Sequence, residues 1–485
     1  MSRERARRAY VETYGCQMNI SDGELMHGIL AADGFEMAGS PEDADLVLVN
    51  TCAIREHAEQ RVIGRVGELN RLKRDRPDVV IGVTGCMAQR LGERLLQQAP
   101  YVDLVMGPDG YRRLPQVLRS IRPAWGSTDA PLPVPGDVPA ATLAPRTRET
   151  GRQLPVLAAT ETSSPARLAV VDFEVEENYE GLGIERRSRI SAWVPVQRGC
   201  DHRCTFCIVP YVRGPEKNRD PARVLDEVCG IAESGTTEVV LLGQTVNSYR
   251  HGDWDFPRLL RAVARVDGIR RVRFTSPHPG DVTPELVAVM ADEPAVCNQL
   301  HLPVQSGHDR TLKRMLRRYT VAEYRDRVRM VRDAIPDIAL STDVIVGFPG
   351  ETDEEYEATI ELMDDVRYDD AFLYRYSPRE GTPATRLPAA QFVPHEVAQH
   401  RLERIIEHHR TIQLAINTSE IGRRVEVLVE RAAKSDGDML GRTATNKVAA
   451  FPGDDTLVGS YLDVVLTATT GATFRGVQTG ATPQT

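Results

Sequence analysis

Two regions of this sequence alternate short apolar runs with helix-like stretches, and this alternation restricts the possible folds more than any other feature. In the first region, residues 7–122, the predicted strands cover residues 10–13, 45–50, 79–84 and 103–106. Strands that alternate with helices form βαβ units around a parallel sheet. Ser21 and Glu24 make a capping box, which predicts that the first helix begins there.

The second region, residues 188–417, contains six predicted strands, each followed by a helix-like stretch. They cover residues 192–196, 238–243, 271–276, 299–304, 338–346 and 371–376. Thr352 and Glu355 form another capping box directly after a strand and a glycine-rich turn. Six consecutive βα units predict a partial (β/α)6 barrel, in which chemistry occurs at the carboxyl ends of the strands.

The rest of the chain follows other patterns. Residues 123–187 are for the most part rich in proline, alanine and threonine, which predicts a linker or insertion. Residues 418–480 alternate apolar and polar side chains, notably at 424–430 and 461–466, and this predicts a small β-barrel. The expected fold class is therefore α/β multidomain: a parallel-sheet βαβ domain, a partial barrel and a small C-terminal β-barrel.

Composition narrows the class of protein. The 485 residues are 41% hydrophobic and 27% charged, and no run of eighteen apolar residues occurs, so we expect no membrane span. The basic first ten residues lack the apolar core of a signal peptide, which favours a cytoplasmic location. A net charge of −9 argues against bulk nucleic-acid binding but permits local basic patches. In a reducing compartment, clustered cysteines are more often metal ligands or catalysts than disulfides.

Three of the eight cysteines lie within one stretch of eight residues, Cys200-Asp-His-Arg-Cys204-Thr-Phe-Cys207. They follow the first predicted strand of the barrel, at the end where cofactors bind. Three thiolates can hold three irons of a [4Fe–4S] cluster, which leaves the fourth iron open to another ligand. The alternative is a zinc site with His202 as the fourth ligand, but that spacing would be cramped.

Three further cysteines, Cys16, Cys52 and Cys86, each stand just after a predicted strand of the first domain. Because the carboxyl ends of parallel strands meet at one edge of a sheet, these distant residues are expected to converge. They predict a second three-cysteine cluster; the alternative is three buried structural cysteines. Cys229 and Cys297 have no such partners and are expected to fill the core.

The chain resembles the radical SAM methylthiotransferases. The resemblance is carried by the CxxxCxxC spacing, by the three-cysteine N-terminal domain, by the β-rich tail of the TRAM type, and by several strings. These are Thr13-Tyr-Gly-Cys-Gln-Met-Asn19, Gly199-Cys-Asp-His-Arg-Cys-Thr-Phe-Cys-Ile-Val-Pro-Tyr-Val-Arg-Gly214, Leu242-Gly-Gln-Thr-Val-Asn-Ser-Tyr249 and His301-Leu-Pro-Val-Gln-Ser-Gly307. The strings are most similar to the branch that makes 2-methylthio-N6-dimethylallyladenosine in tRNA.

The resemblance implies two [4Fe–4S] clusters and two uses of SAM. One SAM methylates sulfur at the N-terminal cluster, and another, at the Cys200 cluster, yields the 5′-deoxyadenosyl radical that takes hydrogen from C2 of adenine. The implied substrate is isopentenylated adenosine 37 in a tRNA anticodon loop. Alternatives are methylthiolation of threonylcarbamoyladenosine in tRNA or of a ribosomal protein, and, outside enzymes, a zinc-containing RNA-binding protein.

Other functional residues are predicted at the barrel strand ends. The candidates for SAM binding are Gly243, Gln244, Ser276, His278, Gln305 and Asp343, each with the alternative role of a turn or cap residue. No catalytic side chain is assigned. The family also implies an electron donor such as flavodoxin or ferredoxin and a sulfur donor, and we expect a monomer.

Basic side chains that could contact RNA phosphates occur in three groups. Each group has the alternative role of an ordinary solvated face. The three groups are Lys313, Arg314, Arg317 and Arg318; Arg270, Arg271 and Arg273; and, on the tail, Arg423, Arg424, Arg431, Lys434, Arg442 and Lys447.

Overall fold

A computed structural model of the chain describes residues 6–53, 56–125, 167–174, 177–186, 188–435 and 437–479. The chain divides into two units, Met1–Glu185 and Arg186–Thr485. Most of the predicted linker, residues 126–166, lies outside the described residues, as do residues 1–5 at the basic start of the chain. Among the described residues, no helix is both long enough and apolar enough to cross a membrane.

The first unit is built on a six-stranded sheet, and every neighbouring pair of its strands is parallel. The strands, in the order β2-β1-β3-β4-β5-β6, are β1 (Arg7–Thr13), β2 (Phe35–Met37), β3 (Leu46–Thr51), β4 (Val80–Gly85), β5 (Leu104–Met106) and β6 (Leu168–Val170). The helices are α1 (Gln17–Ala32), α2 (Glu56–Leu69), α3 (Arg71–Asp75), α4 (Cys86–Leu91), α5 (Glu93–Gln98) and α6 (Leu114–Ile121). This confirms the predicted parallel-sheet domain.

The strands β3, β4 and β5 of this sheet are buried on both faces, and their side chains alternate between two cores. In β3, Val47 and Val49 belong to one hydrophobic cluster, while Leu46 and Leu48 belong to the other. Helices α2 and α4 contribute to the first cluster, and α1 and α6 to the second. Because helices cover both faces of the sheet, the sequences of these strands are continuous apolar runs. It also leaves the carboxyl ends of the strands as the place for a ligand.

The predicted start of the first helix is wrong. Helix α1 begins at Gln17, and its backbone hydrogen bonds start at the carbonyl of Cys16, which receives the Asn19 N–H at 2.9 Å. Ser21 is buried inside the helix instead of capping it. The chain turns into the helix directly after β1, so tertiary placement of the strand end overrides the local capping signal.

The second unit begins with an open barrel of parallel strands. Its six main strands form two sheets, β13-β10-β7 and β14-β15-β16, which are linked by a parallel bridge between Val272 and Val296. The strands are β7 (Ser191–Pro195), β8 (Gln197–Arg198), β9 (Lys217–Asn218), β10 (Glu238–Leu242), β11 (Arg250–His251), β12 (Trp254–Asp255), β13 (Arg271–Phe274), β14 (Gln299–His301), β15 (Ala339–Val346) and β16 (Asp370–Arg375). The predicted partial barrel is therefore confirmed.

Helices follow the barrel strands and bury the outward side chains. They are α7 (Val209–Val212), α8 (Pro221–Glu233), α9 (Phe256–Ala264), α10 (Pro284–Asp292), α11 (Asp309–Arg314), α12 (Val321–Ala334), α13 (Asp353–Val366) and α14 (His395–Ser419). The predicted capping box of Thr352 and Glu355 is present at α13. The core-filling role expected for Cys229 is wrong, because this residue of α8 is exposed, whereas Cys297 is buried as predicted.

The tail forms the predicted closed barrel, with the strand order β17-β18-β19-β21-β20. Its strands are β17 (Arg424–Ala432), β18 (Asp438–Thr443), β19 (Val448–Pro452), β20 (Tyr461–Thr469) and β21 (Thr473–Gln478). Phe451 and Phe474 lie in its centre and are almost fully buried. Residues that alternate inward and outward along these strands account for the β-type pattern of the sequence.

Two arginines predicted to face RNA instead join this small barrel to the large one. Arg271 donates to the Glu426 carbonyl at 3.0 Å, and Arg273 donates to the Thr443 carbonyl at 2.7 Å. Arg273 also forms an ion pair with Glu238 at 3.1 Å. Both guanidinium groups are buried, so they cannot serve as a phosphate-binding surface, and that interpretation of Arg271 and Arg273 is wrong.

Candidate functional site

The loop that carries Cys200, Cys204 and Cys207, here called the loop site, follows β7 and β8 at the carboxyl end of the barrel. Cys200 N–H donates to the Gly214 carbonyl at 3.2 Å, and Cys207 N–H donates to the Cys204 carbonyl at 3.0 Å. Cys200 and Cys204 are buried, and Cys207 is half-buried. None of the eight cysteines, all of which belong to the described part of the chain, forms a disulfide.

Thr205 and Phe206 anchor the loop site to the surrounding barrel, the first through backbone hydrogen bonds and the second through side-chain packing. Thr205 N–H donates to the Met315 carbonyl at 3.1 Å, and Ala384 N–H donates to the Thr205 carbonyl at 2.9 Å. Phe206 packs against a hydrophobic cluster that includes Met315 and Phe348. These contacts hold the loop against the barrel.

The thiols of the loop site lie in a low-dielectric environment and act on one another. Burial raises the pKa of Cys207 to about 12, and the neighbouring Cys204 adds to that increase. Burial also raises the pKa of Cys200, although a contact of 3.1 Å between its sulfur and Thr245 Oγ1 opposes the shift. Burial therefore disfavours ionisation of Cys200 and Cys207, and a bound metal would overcome this effect because it deprotonates coordinating thiols outright.

His202 has a partner other than the three cysteines. Its Nε2 lies 3.2 Å from Asp281 Oδ2, and its ring stacks on His278 with the ring centroids 3.9 Å apart. His202, His278 and Asp281 place one potential ligand atom each within 4.8 Å of one another. However, His278 Nδ1 already accepts the Gly280 N–H at 3.1 Å. The arrangement does not favour His202 as the fourth ligand of a zinc site.

The first unit brings together the three strand ends that carry Cys16, Cys52 and Cys86, here called the sheet-edge site. Strands β1, β3 and β4 are neighbours in the sheet, and one cysteine follows each of them. Cys52 and Cys86 are buried and Cys16 is half-buried. A Cβ added at Gly15 would lie 2.5 Å from Cβ and 3.4 Å from Sγ of Cys52, so the first two loops touch.

Buried polar side chains tie these strand ends to one another. Asn50 Nδ2 donates to the Asn19 carbonyl at 2.7 Å, and Asn19 Nδ2 donates to the Thr51 carbonyl at 2.8 Å. Thr51 Oγ1 donates to the Thr84 carbonyl at 2.6 Å. The network runs across all three strand ends, and sequence reasoning missed it; the only available signal was polar residues at the ends of apolar strands.

The proposed SAM-binding residues occupy the strand ends of the barrel, with one exception. Gly243 and Gln244 follow β10, Ser276 and His278 follow β13, and Gln305 follows β14. Asp343 lies inside β15, with a carboxylate oxygen 3.5 Å from His301 Nε2.

Two of these residues have a strained backbone. Ser276 has φ 57° and Gln305 has φ 73°, values in the left-handed region that side chains other than glycine seldom adopt. The Gln305 backbone is held in place, since its N–H donates to the Asp343 carbonyl at 2.8 Å and its carbonyl accepts the Ile345 N–H at 3.0 Å. Strain of this kind is typical of functional sites.

Two neighbouring loops of the barrel are fixed by an asparagine that the sequence did not indicate. Asn247 Nδ2 donates to the His278 carbonyl at 2.9 Å, and Asn247 Oδ1 accepts the His278 N–H at 2.7 Å. Within the described part of the chain, Gln244 Oε1 is buried and has no hydrogen-bond partner. A buried amide oxygen without a partner is costly, and a donor on a ligand would satisfy it.

Three protein families match successive parts of the chain. Residues 8–107 match an uncharacterized protein family, UPF0004; residues 194–363 match the radical SAM superfamily; and residues 418–477 match the TRAM domain. The matched regions correspond to the parallel sheet, the open barrel with the loop site, and the small closed barrel.

Curated relatives match over nearly the whole chain. A tRNA-2-methylthio-N(6)-dimethylallyladenosine synthase from Chlorobium phaeovibrioides is 39% identical over 100% of this chain and 99% of its own length. The synthase of the same name from Moorella thermoacetica is 40% identical over 96% of each chain.

Solved structures share the fold at low sequence identity. A radical S-adenosylmethionine methyltransferase, TsrM, from Kitasatospora setae, solved with cobalamin and a [4Fe–4S] cluster, superimposes with a TM-score of 0.54 at 17% identity. It covers 78% of this chain and 74% of its own. At this identity the likeness supports the architecture of the barrel and no finer detail.

Proposed function

Because the chain belongs to the family of tRNA-2-methylthio-N(6)-dimethylallyladenosine synthases, we propose that it adds a methylthio group to C2 of N6-dimethylallyladenosine at position 37 of tRNA. The observation that carries this conclusion is 39% identity over the full length of the chain to a synthase of that name. The radical SAM and TRAM matches agree with an enzyme of this class, a radical SAM tRNA methylthiotransferase.

The loop site fits an iron–sulfur cluster. Its three thiols are soft donors, which favour iron–sulfur clusters or zinc over harder cations. We assign Cys200, Cys204 and Cys207 as ligands of a [4Fe–4S] cluster with one iron open to SAM. Support comes from their shared loop, from the burial that raises two of the thiol pKa values, and from the radical SAM match.

The sheet-edge site fits a second cluster on the same grounds of donor chemistry. Cys16, Cys52 and Cys86 follow three adjacent strands, and no disulfide uses them. We therefore propose two [4Fe–4S] clusters per chain. When bound, the clusters and SAM supply the 5′-deoxyadenosyl radical that takes hydrogen from C2 of adenine and the methylated sulfur that replaces it.

The chain's own residues hold SAM. We assign Gly243, Gln244, Ser276, His278, Gln305 and Asp343 to the SAM site. The unsatisfied Gln244 oxygen and the strained backbones of Ser276 and Gln305 support three of these assignments. Desolvation lowers the pKa of His278 to about 2, so this ring is neutral and acts as a hydrogen-bonding and packing group.

The remaining assignments concern domains and partners. We propose a methylthiotransferase N-terminal domain over residues 7–122, a linker or insertion over 123–187 from which β6 joins the sheet of that domain, a radical SAM core over 188–417 and an RNA-binding domain over 418–480. The last domain would contact the tRNA outside the target base. We further propose an external electron donor such as flavodoxin or ferredoxin, a sulfur donor, a monomeric state and a cytoplasmic location, where tRNA is found.

The direct test is anaerobic reconstitution of the full chain with iron, sulfide, SAM and dithionite, followed by incubation with tRNA bearing isopentenyladenosine. Mass spectrometry of the digested nucleosides should show conversion to the 2-methylthio form. Two matched substrates serve as controls: the same tRNA with unmodified adenosine 37, and tRNA bearing threonylcarbamoyladenosine.

Conversion of the isopentenylated substrate in preference to both controls supports the proposal. Methylthiolation of the threonylcarbamoylated tRNA alone would contradict the substrate assignment. A colourless protein that contains one zinc per chain and no sulfide would contradict the cluster assignment as well.

A further inference from the structure

Arg317 belongs to a basic group that the sequence offered as an RNA-binding patch, yet its side chain points into the barrel. It follows α11 and is 9% exposed, whereas the adjacent Arg318 is exposed. The buried position excludes Arg317 from a phosphate-binding surface and requires another explanation for a cation in this place.

Three hydrogen bonds hold the guanidinium beside the loop site. Nη1 donates to Cys204 Sγ at 3.4 Å, Nε donates to Tyr319 Oη at 2.9 Å, and Nη2 donates to the Pro303 carbonyl at 2.8 Å. Tyr319 Oη in turn contacts the Pro303 and Val304 carbonyls at 3.1 and 3.0 Å. Arg317 therefore connects a proposed cluster ligand to the strand end that precedes Gln305.

The side chain stays charged despite its burial. The guanidinium of arginine keeps its proton in proteins, and here Nε, Nη1 and Nη2 all have hydrogen-bond partners. A fixed positive charge in a low-dielectric region interacts strongly with any charge that develops close to it. The nearest group whose charge would change during the proposed reaction is the cluster bound through Cys204.

We propose that the buried guanidinium of Arg317, hydrogen-bonded to Cys204, stabilises the reduced form of the loop-site cluster and so sets its reduction potential. The proposal rests on the proposed function for the existence of that cluster. Reduction adds one electron from the external donor, takes the [4Fe–4S] core from 2+ to 1+, and makes the cluster with its three thiolates more negative. Hydrogen bonds and charges at cluster sulfurs are established controls of reduction potential, and here the cation favours the reduced state.

The test is an EPR-monitored redox titration of the full chain without SAM, with Cys16, Cys52 and Cys86 replaced by alanine so that one cluster contributes. In this background, Arg317→Gln should lower the reduced-to-oxidised ratio at the reference midpoint at least about tenfold, which is about 59 mV for a one-electron couple. Arg317→Lys keeps the charge and should stay close to the reference. Arg318→Gln removes an exposed charge from the next residue and should leave the midpoint unchanged.

Each outcome decides the proposal. A normally loaded Arg317→Gln protein with an unchanged midpoint would overturn it, as would loss of the cluster from both Arg317 variants, which would indicate a packing role. Loss from Arg317→Gln alone, with a normal midpoint in Arg317→Lys, supports a requirement for charge. The readout does not involve tRNA. If the midpoint shifts in this background but the wild-type chain fails to methylthiolate isopentenylated tRNA, the proposed function is contradicted and this inference is left intact.

Discussion

The three cysteines of the loop site share one short loop, whereas those of the sheet-edge site come from three different strands. In the first case, covalent proximity and the backbone bonds of Thr205 with Met315 and Ala384 fix the geometry. In the second, it depends on strand order and on the buried network of Asn19, Asn50 and Thr51. Two sites with the same donor set should therefore respond differently to changes in the surrounding protein.

The largest expected effect separates the chemical roles of the two sites. Replacing Cys200, Cys204 and Cys207 by alanine should abolish both 5′-deoxyadenosine formation and tRNA methylthiolation, because no site for reductive cleavage of SAM remains. Replacing the three sheet-edge cysteines should abolish methylthiolation but leave 5′-deoxyadenosine formation measurable by liquid chromatography. If both triple variants lost 5′-deoxyadenosine formation, the two sites would not have separate roles.

The second prediction concerns the backbone on which the sheet-edge site depends. Gly85 has φ 91°, and a Cβ there would lie 2.4 Å from the Thr51 carbonyl oxygen. Gly85→Ala should lower the free energy of unfolding of the first unit by about 3 kcal/mol or more, since backbone strain and a steric clash add. The amount of iron bound at the sheet-edge site should also fall. Iron analysis should be made in the variant with Cys200, Cys204 and Cys207 replaced by alanine, where only the sheet-edge site remains.

Gly34→Ala is the matched control for Gly85→Ala. Gly34 lies in the same unit with φ 83°, and its added Cβ would approach only the end of the flexible Arg7 side chain, at 3.4 Å. The cost should be that of left-handed strain alone, about 1–2 kcal/mol, with iron binding retained. Equal iron loss in both variants would show that strain anywhere in the unit releases the metal.

A smaller effect is expected from replacing one buried asparagine near each site, Asn50 at the sheet-edge site and Asn247 near the loop site. Asn50→Ala removes two buried contacts with Asn19, one to its carbonyl and one to its side-chain amide, at a cost of about 0.5–1.5 kcal/mol each. It should reduce iron occupancy at the sheet-edge site. Asn247→Ala removes two bonds to His278 but none to the cysteine loop, so the loop-site cluster should assemble while KM for SAM increases. Loss of the loop-site cluster from Asn247→Ala would contradict the independence of that loop.

The smallest effect is a pH dependence confined to the loop-site side of the comparison. Burial of His278 lowers its pKa to about 2, whereas in the unfolded chain it titrates near 6.5. The contribution of His278 to the free energy of unfolding is therefore complete above pH 6.5. It is lost as the pH falls below that value, because protons then bind the unfolded chain preferentially. The free energy of unfolding of the iron-free protein, measured in urea, should fall between pH 7.5 and pH 5.5. The fall should be about 1 kcal/mol larger in the wild-type protein than in His278→Asn.

Several features that depend on residues close together in the chain were predicted correctly from the sequence. The spacing of Cys200, Cys204 and Cys207 and the capping box at Thr352 depend on neighbours in the chain, and the six barrel strands were visible from their apolar runs. Strands β2 and β6 were missed: both are short edge strands of the sheet and only partly buried, so their sequences lack the continuous apolar run of a strand covered on both faces.

Other features depended on contacts between distant residues. Arg271 and Arg273 resembled a basic patch because their partners lie about 150 residues or more further along the chain, in the small barrel. Arg317 was grouped with exposed neighbours because burial inside the barrel leaves no periodic signal in so short a run. The helix start at Gln17 was placed too late because the turn after β1, and not a side-chain cap, begins that helix.

Iron and acid-labile sulfide analysis of the anaerobically reconstituted chain tests the central claim of two separate clusters most directly. The wild-type protein should contain about eight irons and about eight sulfides per chain, and each triple-cysteine variant about four of each, all as [4Fe–4S] by Mössbauer spectroscopy. About four irons in the wild type, with none left in one of the triple variants, would contradict the claim.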